Sequence, residues 1–161
     1  MIFMRDREGF TLIELLIVCS IISFLLYMSV SWGISYIQSW KLTRSALTIL
    51  RKISELRDTS FSYGENTPDM IYFYPAIDLV VWKTFNSDKN KYEVKESYSF
   101  LEEKIDLVSA TFGDNNYIYF TRIGTPSSGG TIALGIKNLR KYIIITPATG
   151  RVYLSDKMPE Y

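Results

Sequence analysis

A chain of 161 residues, 47% of them apolar, suits one modest domain with an appendage and excludes both two separate cores and a disordered chain. Histidine is absent and Cys19 is the single cysteine, which excludes an intrachain disulfide, a Cys/His zinc site and an imidazole triad; no metal or cofactor is expected. The net charge of +1 is unevenly spread: seven Lys/Arg against five Asp/Glu up to Tyr63, five against ten from Gly64 to Thr121, and six against two from Arg122 onward. The cationic last third could attract an anionic partner, and scattered surface lysines give the same count.

The first element is an apolar run from Phe10 to Ile37 in which Glu14 is the one side chain expected to carry charge. It exceeds the ~20 residues a helix needs to cross ~30 Å of hydrocarbon, so a membrane span is expected. A cleaved secretory signal has an apolar region of only ~7–15 residues, and here helical patterning continues past Gly33 instead of stopping. Glu14 is the anomaly. A carboxylate one turn inside the run costs at least ~2.5 kcal/mol on insertion scales, unless it snorkels or is protonated.

The stretch Gly9-Phe10-Thr11-Leu12-Ile13-Glu14-Leu15-Leu16-Ile17-Val18 resembles the N-terminal cleavage and methylation motif of type IV pilins and type II secretion pseudopilins. The resemblance implies a leader at residues 1–9, cut by a membrane-embedded prepilin peptidase between Gly9 and Phe10, with methylation of the new Phe10 amine. It implies, too, that Glu14 neutralises the Phe10 amine of a neighbouring subunit in a filament. Such a pair fixes register more surely than it adds net stability, because either charge alone is costly in a low-dielectric bundle. The sequence departs from the family in three ways. Asp6 and Glu8 sit beside the leader's Arg5 and Arg7. Lys41, Arg44, Arg51 and Lys52 follow the span, against two arginines before it, a bias opposed to an inside N-terminus that the motif overrides. Gly33 with Ser20, Ser23, Ser29 and Ser31 replaces the proline common in major pilins, so local loosening and small-residue helix contact are both open.

Beyond the span, Leu42, Ala46, Ile49, Ile53 and Leu56 recur every three or four residues, which predicts an amphipathic helix over residues 38–63 lying on a domain and ending between Asp58 and Gly64. The pattern then changes to short β-rich runs over residues 64–161: Met70 to Tyr74, Ile77 to Phe85, Tyr92 to Phe100, Ile105 to Phe112, Tyr117 to Ile123, Thr131 to Ile136, Tyr142 to Thr146 and Arg151 to Leu154. Hairpin turns are expected at Asn86 to Lys91, Gly113 to Asn116 and Ala148 to Gly150. The fold class is therefore α+β: a long N-terminal helix, transmembrane in its first half and amphipathic in its second, packed on antiparallel sheets. The resemblance implies the lollipop shape of pilins. The domain's aromatics are expected in the core and on sheet faces rather than as a base-stacking platform.

Phe120, Gly124, Ser128-Gly129-Gly130-Thr131-Ile132, Tyr142-Ile143-Ile144-Ile145 and Thr149-Gly150-Arg151-Val152 are similar to the C-terminal part of GspH/FimT-like pseudopilins, which include competence minor pilins. Some of that subgroup bind DNA through a Gly-Arg-x-Arg motif. Here Gly150-Arg151-Val152 matches and Tyr153 replaces the second arginine, leaving Lys137, Arg140, Lys141 and Arg151 as candidate phosphate contacts if they share a face.

Three functions are weighed. The first is a minor pilin or pseudopilin helping assembly or initiation of a type IV pilus, competence pilus or secretion pseudopilus; it would meet other pilins through the helix, an inner-membrane platform, and lipid before assembly. Its C-terminal domain would lie on the extracytoplasmic side of the inner membrane. The second is a DNA-binding subunit displayed on such a filament. The third, an enzyme, has only acid pairs such as Glu102-Glu103 for acid/base chemistry, and neighbours on a strand point apart.

Overall fold

The computed structural model describes residues 11–62 and 67–159, with backbone alone at residues 30–32. The leader, Gly9, Phe10 and the Gly64 end of the helix's punctuation lie outside the described residues.

Helix α1, Leu12–Ser60, is 49 residues long and passes Gly33 and the serines before it without interruption. Ser20, Ser23 and Ser29 return their hydroxyls to the carbonyls of Ile17, Cys19 and Leu25, so this half of the helix satisfies these polar groups on its own backbone. The chain forms two compact units, one ending at Ile37 and the other beginning at Gln38. In the first, the side chains from Leu12 to Ser29 are exposed, and this helix alone among the described ones is long and apolar enough to cross a membrane.

In the second unit, α1 buries the stripe its sequence announces: Leu42, Ala46, Ile49, Ile53 and Leu56 are each no more than 1% exposed. Two antiparallel four-stranded sheets share the core with this stripe. The first sheet is built from β1 (Met70–Tyr74), β2 (Leu79–Asn86), β3 (Lys91–Ser99) and β5 (Tyr117–Ile118), in the order β3-β2-β1-β5. The second comprises β4 (Asp106–Thr111), β6 (Gly130–Ile136), β7 (Leu139–Ile145) and β8 (Val152–Ser155), in the order β4-β6-β7-β8. Alternation sorts each strand: Ile71 and Phe73 of β1, Ile132 and Leu134 of β6 and Ile143 and Ile145 of β7 point into the core.

Two expected hairpins form. Asn86 Oδ1 accepts from the amides of Asp88 (3.0 Å) and Lys89 (3.2 Å), an Asx turn that closes β2 onto β3. Gly150, at φ +62°, closes β7 onto β8. The third expectation is corrected. Gly113 to Asn116 makes a tight turn, with Phe112 bridged to Asn115, but it carries the chain from β4 in one sheet to β5 in the other.

Other boundaries shift for local reasons. The strand expected from Ile77 begins at Leu79, because Pro75 starts a 3-10 turn, Pro75–Ile77, that ends on Asp78 in the left-handed region. The run Tyr117 to Ile123 pairs with β1 only at Tyr117 and Ile118. Beyond them the chain bends to bury Phe120 and to bring the Thr121 carbonyl to the Ser60 hydroxyl, 3.0 Å away, at the end of α1. The run expected from Tyr142 starts at Leu139, after a two-residue turn in which Lys137 takes φ +52° without the usual glycine. Glycine is required at Gly130 for another reason: a Cβ there would collide with the Thr111 carbonyl oxygen.

Candidate functional site

The start of α1 is a capping box. Thr11 is the N-cap and Glu14 the third helical residue; the Thr11 hydroxyl accepts from the Glu14 amide (3.3 Å), and Glu14 Oε2 accepts from the Thr11 amide and hydroxyl, both at 2.9 Å. Glu14 is thus held against the helix terminus, among backbone amides that have no carbonyl partner within the helix. Its neighbours Leu12, Ile13, Leu15 and Leu16 are all more than half exposed in the single chain. The arrangement presents one anchored carboxylate on an exposed apolar surface. Gly9 and Phe10, the predicted processing residues, lie outside the described residues.

The four candidate phosphate contacts are not brought together. Lys137 stands in the β6–β7 turn and is exposed. Arg140 folds its guanidinium back onto that turn, donating to the carbonyls of Lys137 (2.7 Å) and Leu139 (2.9 Å). Lys141, on the opposite face of β7, pairs with Asp156. Arg151 lies past the other end of this seven-residue strand, about 23 Å from the β6–β7 turn at 3.3 Å per residue, where its guanidinium sits 5.6 Å from the centre of the Tyr153 ring. Tyr153, which replaces the second arginine of the motif, is therefore also the surface on which Arg151 rests.

The acid pair lies outside any strand. Glu102 and Glu103 belong to a 3-10 turn, Leu101–Glu103, and Glu103 is hydrogen-bonded to the buried Ser45 hydroxyl of α1, which also lies 3.4 Å from the Tyr98 hydroxyl. Further along the helix, Lys52 bridges to Glu96 at 2.6 Å, and that hydrogen bond holds its ammonium above the ordinary lysine range. Among the described residues no group of three or more acidic or cysteine side chains could hold a metal.

Residues 4–28 match the model of the prokaryotic N-terminal methylation motif. The fold of the chain matches two structures of the minor pseudopilin EpsH from the type 2 secretion system of Vibrio cholerae. Both superpose with a TM-score of 0.58, at 12% and 11% identity. They cover 72% and 78% of this chain, and 97% and 99% of the EpsH chains. The chain thus carries a prokaryotic N-terminal methylation motif and shares the fold of these two structures. No curated protein matches it significantly in sequence.

Proposed function

We propose that the chain is a minor pilin or pseudopilin, a structural subunit that prepilin peptidase cuts between Gly9 and Phe10 and that then enters a filament. Residues 1–9 are the leader, 10–37 the span, 38–63 the amphipathic half of the helix and 64–161 the β-rich domain. Before assembly the helix anchors the chain in the inner membrane with the domain on the extracytoplasmic side. On assembly its apolar side chains exchange lipid for the helices of other pilins, while the Glu14 carboxylate meets a neighbour's Phe10 amine. The observation that carries this reading is the capped Glu14 standing on a helix whose apolar side chains from Leu12 to Met28 are exposed. A lone carboxylate there costs more than it returns until a cation is supplied, so assembly itself provides the compensation.

The machine served is a type IV pilus, a competence pilus or a secretion pseudopilus. The dispersal of Lys137, Arg140, Lys141 and Arg151 supports an assembly role over DNA display. The test is to express the tagged chain in cells making filaments, with and without active prepilin peptidase, and to shear and purify the filaments. Co-purification only with the active peptidase is expected. A chain that remains wholly in the membrane when filaments form would reject the role.

A further inference from the structure

The face of the first sheet that turns away from the core is built of tyrosines. Ile71 and Phe73 of β1, Trp82 of β2 and Ile118 of β5 point inward, so alternation turns Tyr72, Tyr74, Lys83 and Tyr117 outward. Contacts join them into one surface. The Tyr72 ring centre lies 5.0 Å from that of Tyr117 across the β1–β5 pairing and 6.3 Å from that of Tyr74 along the strand, and Tyr117 lies 6.4 Å from Tyr119. The Lys83 ammonium stands 4.2 Å from the centre of the Tyr72 ring. All five side chains are half-buried. The face continues onto β3 at Val94, which pairs with Lys83 and is 62% exposed.

This composition matches the centre of a protein interface, where tyrosine is enriched and charge depleted. A stacked nucleic-acid strand calls instead for a row of cations along its phosphates. Lys83 is the one charged side chain that these registers place on the face, in a stretch, Gly64 to Thr121, holding five Lys/Arg against ten Asp/Glu. Lys83 therefore sets the charge of the partner. Its ammonium is partly withdrawn from water and rests on a ring, with no acid on the same face, so a partner that brings one carboxylate supplies what the surface lacks. Size limits the contact. Three strand spacings of ~4.8 Å by five residues at ~3.4 Å give about 250 Å², against ~800 Å² per partner in a free-standing complex. Such a face adds to a contact that another surface already holds, as between neighbours in a filament.

We propose that this tyrosine face docks on a neighbouring pilin of different sequence, with an Asp or Glu of that subunit seated on Lys83. The inference rests on the filament reading above and gives it a second contact, made by the β-rich domain in addition to the helix. A minor subunit has mainly other pilins beside it, hence the partner of different sequence.

The test is made on sheared filaments carrying the full chain. A water-soluble carbodiimide joins an amine to a touching carboxylate with no spacer, and mass spectrometry of the digest names the pair. The Lys52–Glu96 bridge, 2.6 Å long, is the internal control. Lys83 should be found joined to an Asp or Glu of another pilin. Lys83→Met, and Val94→Glu, which sets an acid beside the partner's acid, should lower filament yield severalfold at an unchanged urea midpoint in detergent. Lys83→Arg, and Lys157→Met at an exposed site elsewhere, should keep the parental yield. A Lys52–Glu96 product without any Lys83 product, Lys83 joined to a second copy of this chain, or Lys83→Met and Val94→Glu at parental yield would overturn the proposal. The two levels separate on the parent chain. Its absence from filaments refutes the filament reading itself; its presence there with Lys83 unjoined refutes only the docking face.

Discussion

Replacing Glu14 by glutamine separates the two roles the structure gives this side chain. The amide keeps an oxygen that can accept from the Thr11 amide and hydroxyl, the contacts now made at 2.9 Å, so the capping box survives. What is lost is the negative charge. A neighbour's Phe10 amine would then enter the bundle without a counter-ion, and breaking one side of such a buried pair costs about 3–5 kcal/mol, a factor of a hundred or more in the assembly equilibrium. Removing the cap while keeping the charge, as in Thr11→Val, costs only ~0.5–2 kcal/mol and should leave most assembly intact. The assay is the yield of each variant in sheared filaments, normalised to processed subunit in the membrane. Glu14→Gln should be cleaved normally and be nearly absent from filaments, with Thr11→Val close to the parent. Glu14→Gln filaments at parental yield would refute the charge pairing, and a Thr11→Val defect as deep as that of Glu14→Gln would show that capping, not charge, is what matters.

Ile53, fully buried in the middle of the helix stripe, should cost about 2–5 kcal/mol when cut to alanine, against about 0.5 kcal/mol or less for Leu47→Ala on the outer face; urea unfolding in detergent measures both. Because the Glu96 hydrogen bond raises the Lys52 pKa, its contribution is complete below the unfolded value of ~10.4 and is lost as pH rises through the raised folded value. The gap in melting temperature between the parent and Lys52→Met should therefore hold from pH 7 to 9 and shrink as pH rises beyond the ordinary lysine range. In gel-shift titrations at low salt, the Arg140/Lys141/Arg151 triple alanine variant should match the parent; a large loss of DNA binding in the variant would revive the display function.

Much of the fold was legible because periodicity reports burial directly. Leu42 to Leu56 repeat at helical spacing, and all five stripe residues are buried. β1 was readable to the residue, since Ile71 and Phe73 alternate with half-exposed tyrosines and Pro75 stops the run. Long-range partnership was not. Nothing local distinguishes Gly113 to Asn116 as a link between sheets from a hairpin turn, because the difference lies in which strand each end meets. The two-residue turn at Lys137 escaped notice because it takes a left-handed conformation without glycine, stabilised by an arginine that local patterning marks only as a charge. At the candidate site, Thr11-Leu12-Ile13-Glu14 carries a capping-box signature in plain view. Its signal was masked by the apolar run, in which a glutamate reads first as a membrane cost and only then as a cap.

The most direct check is mass analysis of the N-terminus of the protein extracted from membranes of cells with an active prepilin peptidase. The account predicts a chain beginning at methylated Phe10. A chain that still begins at Met1 would contradict it.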